Sequence, residues 1–464
     1  MLPTPSVGDA ELCEALLLLD FTGVNGDSPG DVKGALALLL ARAARRIGSD
    51  GVLLLTLPNR FGLRFWSGCP EPGTGRLFSP LSGDSTAGSP LLVSRRELAE
   101  ALTRAGLTAL EWFFPVWDPH HPGSLTSLLS EQLVAAAPEI ASELATNRPF
   151  ADPVRPRLDL FPEALVSREL ARAELFAEFS NFFLVAASAA PDSAIWPRLR
   201  PPGPEIGWHY AEDRKEPTET IFELGAHGFT VSKRRRDGRP ALDLGDFFWT
   251  GAERAPLAPG EALRLRLQKH LIAGRIDAFQ LEFAAFCEFI LTRFGRGEAL
   301  AGDALDALFT NATRDEDGAF HLFDLEWSSL EKIPFSWWIL RNVLACLEMR
   351  GPSIPGVPTG TALYETLCRQ QGVKARCAAD LARESNFATA VRASRPEVHA
   401  PATASALGSS WPVLALQGID ATPIRAAMEL AAIHQQLVAD YRKLEAWALD
   451  LEARLLRHEA TPGP

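Results

Sequence analysis

The first part of the chain sets short, wholly apolar runs between segments whose apolar positions recur at helical spacing. Glu14–Phe21 contains such a run and ends in an acidic residue and turn formers, which predicts a buried strand. Asp31–Ile47 is rich in Ala and Leu and predicts a helix, with Arg45 and Arg46 placed to complement its C-terminal dipole. Gly48–Gly51 turns the chain, and Val52–Leu57 is a second apolar strand. A strand–helix–strand unit with short links predicts that these two strands run parallel. Pro58–Pro90 reads as a long loop. Ser94 and Glu97 make a capping box that starts the helix Arg95–Ala105, and Gly106 ends it. Thr108–Val116 predicts a third strand, Leu125–Ala145 helices, Glu163–Arg172 another helix and Leu175–Ala187 a last strand.

A proline-rich stretch, Pro191–Pro204, marks a domain boundary. Beyond it, Thr218–Leu224 and Phe229–Arg235 alternate polar and apolar residues around Gly225 and Gly228, a hairpin signal. Helices are predicted over Pro259–Ala273, Asp277–Phe294, Pro334–Arg350 and around Thr361–Glu384, with a loop and short hairpin in Asp306–Leu325. Pro396–Leu416 reads as loop. Pro423–His458 reads as one long helix with Leu430, Leu437, Leu444 and Leu451 at seven-residue intervals. Ile433 and Trp447 fit the intervening apolar positions of a heptad, whereas Asp440 and Arg454 do not. That helix either associates with a partner or packs on its own domain.

At 464 residues the chain predicts two or three domains. A hydrophobic content of 47% makes it globular, and a net charge of −12 argues against a dedicated nucleic-acid binder. The six cysteines form no CxxC pair and no zinc spacing with the histidines, which predicts free thiols in a reducing cytoplasm. The N-terminus lacks a basic start for export, and no apolar run reaches the roughly 20 residues of a membrane span. His120 and His121 with Asp118 form a weak metal-site candidate in a proline-flanked loop.

The order of elements up to about residue 190 resembles the second half of a class I S-adenosylmethionine-dependent methyltransferase from a bacterial surface-polysaccharide cluster. The run GVLLLTLPNRFGLRFWSG (Gly51–Gly68) carries most of it. LFSPLSG (Leu77–Gly83), SRRELAEALTRAGL (Ser94–Leu107), FFPVWD (Phe113–Asp118) and EFSNFFLVAAS (Glu178–Ser188) follow in order. Such an enzyme needs a glycine-rich strand-to-helix turn and an acidic residue on the next strand to hold its cofactor. Nothing before Glu14 supplies either, so S-adenosylmethionine is not expected for the chain as it stands.

The second part carries a lysine, two aspartates and an asparagine in a fixed order. Lys233 lies in FTVSKRRR; Asn311 follows Asp306 by five positions in DALFTN; Asp324, in HLFDLEW, follows Asn311 by thirteen. DEDG (Asp315–Gly318) lies between as a turn. Taken singly, Lys233 heads a basic run that could be a solvated edge, and Asp306 could face solvent. Together the spacing resembles that of the protein-kinase fold, and Asp303–Trp327 resembles the kinase-like domains fused to surface-polysaccharide methyltransferases. The resemblance implies Asp306 as catalytic base, Asn311 and Asp324 as magnesium ligands and Lys233 on the phosphates of ATP. It places Trp208–Phe222 as the loop covering the nucleotide, with Arg214 and Lys215 facing phosphate. The sequence departs from the pattern at Ala304, Phe309, Leu325 and Glu326, and no helix glutamate stands out as a partner for Lys233.

The fold expected is therefore α/β. A partial Rossmann-like methyltransferase domain (1–190) is followed by a linker (191–204), an α+β protein-kinase-like domain (205–395), a loop (396–422) and a long amphipathic or coiled-coil helix (423–458). The relatives implied are O-antigen chain terminators, which methylate and phosphorylate the end of a lipopolysaccharide polymer. The function implied is an ATP-dependent transferase acting on a bacterial surface glycan. It would be cytoplasmic, or peripheral to the inner membrane through a glycosyltransferase partner or self-association at the C-terminal helix. Two alternatives stand beside it: a non-catalytic pseudokinase scaffold recruiting a glycosyltransferase, and a methyltransferase whose true start lies upstream.

Overall fold

The computed structural model describes residues 15–18, 32–72, 74–83, 91–117, 125–146, 160–191, 203–211, 214–226, 228–238, 241–250, 254–256, 260–296, 298–347 and 360–392. The expected C-terminal helix, the His120–His121 pair, Cys13 and residues 192–202 of the Pro191–Pro204 linker lie outside them. The chain mixes helix and sheet, as the α/β expectation requires.

The strands of the first part are β1 (Ala15–Leu18), β2 (Val52–Pro58), β3 (Ala109–Trp117), β4 (Leu125–Ser130) and β5 (Phe182–Ser188). Those that follow are β6 (Glu205–Ala211), β7 (Thr218–Gly225), β8 (Gly228–Arg235), β9 (Ala241–Asp243), β10 (Phe247–Thr250) and β11 (Ala255–Pro256). Nine of these form one sheet, in the order β1-β2-β5-β3-β4-β6-β7-β8-β11. β1 pairs β2 in parallel across the helix Val32–Ile47, as the strand–helix–strand pattern predicts. β5 returns late in the chain and inserts antiparallel between β2 and β3. Among the described residues β1 is the edge strand on its side.

Local chemistry accounts for several boundaries. Ser94 and Glu97 form the predicted reciprocal capping box of the helix Arg95–Arg104. Gly106 follows that helix with a positive φ of 84°, a conformation that costs glycine least. The predicted strand Leu175–Ala187 begins instead as a helical turn, Phe176–Phe179, and extends only from Phe182.

The largest correction concerns Leu125–Ser130, predicted helical and found as β4. Its backbone is taken by β3 on one side and β6 on the other, and the helix starts only at Glu131, where the Ser130 hydroxyl accepts the Leu133 N–H at 3.1 Å. Strand pairing on both edges overrides the helix-compatible leucine spacing of this segment.

β4 therefore joins the two parts. Ser127, Leu128 and Leu129 pair with His209, Trp208 and Gly207, so one sheet continues through the region expected to separate two domains. The core of the first part follows it: Ile206 and Phe222 pack with Leu129, Leu133 and Val185. A second core gathers Phe283, Phe286, Trp338 and Tyr364 around the helices Ile276–Phe294, Phe335–Leu347 and Gly360–Gln370. Ion pairs from Glu143 to Arg264 (3.1 Å) and from Arg168 to Glu261 tie the parts together.

Candidate functional site

Extended strands point alternate side chains to opposite faces, which splits the basic run of β8. Arg234 and Arg236 face outward, whereas the Lys233 side chain is only 6% exposed. Lys233 is thus no solvated edge charge. It pairs with Asp324, and its Nζ lies 3.1 Å from Glu326.

Register places Lys233 at the end of a row of four residues. Ser127 on β4 lies opposite His209 on β6, His209 opposite Thr220 on β7, and Thr220 opposite Lys233 on β8. Directly opposed residues share a face. Two positions along every strand, the next row on that face is Leu129, Gly207, Phe222 and Val231, which belongs to the first core. A cleft opens where this apolar row gives way to the polar one.

The opposite wall comes from the segment 302–327. Asp306 ends one 3-10 turn (Gly302–Asp306) and Asn311 ends a second (Phe309–Asn311). The predicted short hairpin follows as β14 (Ala312–Arg314) and β15 (Phe320–Leu322), after the two-residue strands β12 (Glu261–Ala262) and β13 (Ala299–Leu300). The helix Phe335–Leu347 holds the turns from beneath. Trp338 donates to the Ala307 carbonyl at 3.0 Å, Arg341 donates to the Leu305 carbonyl, and Asn342 accepts the Phe309 N–H at 2.9 Å. These three residues sit at i, i+3 and i+4, one face of a helix.

The Asn311 amide N–H₂ reaches the carbonyls of Asp306 at 2.9 Å and Asp324 at 3.5 Å, leaving its oxygen as the end that can accept. Asp324 has a φ of +61°, uncommon for any residue but glycine, so backbone strain is concentrated at this position. Glu326, two residues on, pairs with Lys233 and Arg214, accepts the Trp249 indole N–H at 2.8 Å, and donates its own N–H to Asp306 Oδ2 at 3.2 Å.

Charges in this cluster shift one another. Burial raises the Asp306 carboxyl to about 7, reinforced by Glu326 and Asp324 and opposed by Arg341 and Lys233. Burial also raises Asp324, against the pull of Lys233. Burial alone would raise Glu326 too, but Lys233, Arg214 and the hydrogen bonds from Arg214 and Trp249 hold it well below the carboxylate range. Lys233 loses stability as a cation through burial and more than regains it from Asp324 and Glu326, so it stays charged.

The cleft encloses ≈ 1040 Å³, mouth included, and Arg214, Asp306, Asn311, Asp324 and Glu326 line it. Of the four residues expected to act together, Asp306, Asn311 and Asp324 line it, Lys233 is buried behind them in its ion pair with Asp324, and Arg214 joins from the turn between β6 and β7. Lys215 does not: its side chain is exposed, and its backbone N–H is bound to the Val391 carbonyl at 2.9 Å. Sequence reasoning missed Glu326, Arg341 and Asn342. The available signal was a second carboxylate, Glu326, only two residues from Asp324, close enough to share its cation.

Among the described residues no three His, Cys, Asp or Glu side chains are grouped to hold a metal by themselves. A magnesium ion needs fewer, since it takes one or two protein oxygens together with phosphate oxygens, and the Asp324 carboxylate and Asn311 carbonyl oxygen suit that role. Cys69, Cys287, Cys346, Cys368 and Cys377 are free thiols, and none lines the cleft. No helix among the described residues is long and apolar enough to cross a membrane. No family model, no curated protein and no solved structure matches this chain.

Proposed function

We propose that the chain is a magnesium- and ATP-dependent phosphotransferase of protein-kinase-like architecture, acting on a bacterial surface glycan and carrying a methyltransferase-like half. The observation that carries this reading is the gathering of Asp306, Asn311 and Asp324 along one cleft with Lys233 ion-paired to Asp324, although Lys233 and Asp324 lie 91 positions apart. Phosphoryl transfer depends on positioning and charge stabilisation more than on covalent help, and these four supply the parts. Asp324 and the Asn311 oxygen would hold magnesium, which supplies charge neutralisation on the phosphates when bound. Lys233 then exchanges its carboxylate contacts for a phosphate oxygen. Asp306 takes the proton of the acceptor hydroxyl as that oxygen bonds to the γ-phosphorus and the bond to the β-phosphate oxygen breaks, releasing ADP. An Asp306 carboxyl raised to about 7 suits a general base near neutral pH.

Thermal unfolding with Mg-ATP tests the reading. Mg-ATP should raise the Tm of the wild type and of Asp306→Asn but not of Asp324→Asn, and only the wild type should transfer phosphate to a glycan acceptor. A wild type indifferent to Mg-ATP defeats the proposal.

A second reading, a pseudokinase scaffold, draws on one observation. Lys233 and Arg214 are already neutralised by Asp324 and Glu326, so the cluster is balanced without a nucleotide. Nucleotide binding without turnover on any acceptor would favour it.

A further inference from the structure

The cleft is not built by the kinase-like part alone. Thr126 from β4 and Leu144 from the helix Pro138–Thr146 line it, and both belong to the methyltransferase-like part. His209 lines it as well, and its Nδ1 lies 2.8 Å from the hydroxyl of Ser127, which is fully buried on β4. A ring nitrogen held in this way fixes the orientation of the imidazole.

The cleft also has two ends of different character. Asn311, Asp324 and Arg214, with Lys233 paired to Asp324 behind them, make one end charged. His209 lies two strands from Lys233, roughly 10 Å away at the usual strand spacing, on the same face of the sheet. The lining also includes Leu144, Thr126 and the imidazole. Farther along the face there is no room. Gly207, the next residue inward on that side of β6, faces Leu133 so closely that an added Cβ would fall 2.4 Å from Leu133 Cδ2. A ligand lying along this wall must therefore end against His209, in a cleft that Thr126 and Leu144 also line.

We propose that the methyltransferase-like part supplies the nucleoside wall of the donor site. Its triphosphate lies along Lys233, Asn311 and Asp324, and its base and ribose rest on Thr126, Leu144 and the His209 ring that Ser127 orients. An amphipathic ligand matches the amphipathic wall: anionic phosphates at the cations, a flat ring at the leucine and imidazole. The acceptor then enters from the opposite wall, which carries Asp306 and Arg341. This assignment rests on the phosphotransferase reading and adds a role for residues outside the kinase-like part.

Calorimetric titration of the full chain with Mg-ATP and with magnesium tripolyphosphate, which lacks a nucleoside, separates the two ideas. Leu144→Trp should weaken Mg-ATP binding at least tenfold, and Ser127→Ala at least threefold, while tripolyphosphate affinity stays within twofold in both. Ser127→Ala decides the matter if Leu144→Trp shows no cooperative unfolding transition. Mg-ATP affinity unchanged within twofold, or equal losses for the two ligands, overturns the nucleoside wall. A wild type that binds neither ligand instead overturns the phosphotransferase reading, and this inference with it.

Discussion

Asp306 Oδ2 accepts the backbone N–H of Glu326 at 3.2 Å, so the carboxyl proposed as base is fixed by the segment that also presents Asp324. Its position and its elevated pKa have one origin, enclosure beside two other carboxylates.

That gives a pH dependence with a definite sign. In the unfolded chain an aspartate titrates near ~3.9. In the folded chain Asp306 keeps its proton up to about 7. The folded state therefore binds more protons between these values, so the contribution of Asp306 to stability is full in acid and is lost as pH rises through about 7. Asp306→Asn, which cannot ionise, should raise Tm at pH 8 by roughly 2–4 °C and by less at pH 5. Turnover, needing the ionised base, should rise from pH 6 to pH 8. A variant that is less stable than wild type at pH 8 would contradict this account.

Lys233 is buried between two carboxylates, and removing one partner of a buried pair leaves uncompensated charge. Lys233→Met should cost about 3–5 kcal/mol in urea unfolding. Adding Asp324→Asn should return part of that loss, because it removes the carboxylate that Lys233→Met leaves without its ion-pair partner. Strict additivity of the two substitutions would show that the residues are not coupled.

Gly302 sits at the start of the turn that carries Asp306, and an added Cβ would fall 1.8 Å from the Ser329 carbonyl oxygen. Backbone cannot yield as a side chain can. Gly302→Ala should therefore displace the turn, lower stability by about 1–3 kcal/mol and reduce phosphate transfer more than nucleotide binding. Unaltered turnover would mean that the turn tolerates the shift.

For the segment Pro423–His458 the expectation stays a sequence-based one. Leucines at seven-residue intervals favour association, and truncation before Pro423 should lower the mass measured by light scattering. An unchanged mass would assign the segment elsewhere.

What could be read from the sequence was local or fixed by spacing. The capping box at Ser94, the β7–β8 hairpin and the turn at Asp315–Gly318 each depend on neighbouring residues, and each formed as expected. The intervals from Asp306 to Asn311 and Asp324 are also short-range features, which is why the second wall of the cleft was visible. β4 was not, because LTSLLS becomes a strand only when β3 and β6 lie on either side of it. His209 was hidden for the same reason: its place in the Lys233 row follows from strand register, which no single segment encodes. Glu326 looked like a departure from a pattern, and only the convergence of Lys233, Arg214 and Trp249 on it explains an acidic residue there.

The pairing of β4 with β6 bears on whether the chain can be cut in two. Expressing residues before 190 alone would leave β4 with a bare row of amide and carbonyl groups, and expressing those after 204 alone would leave β6 the same. Exposed edges of that kind invite intermolecular pairing. Each fragment would also lose apolar cover, since Ile206 and Phe222 belong to the same buried core as Leu133 on the other side of the cut. The two parts are therefore partners in a single cooperative melting transition, and co-expression of the fragments should recover soluble protein that neither yields by itself.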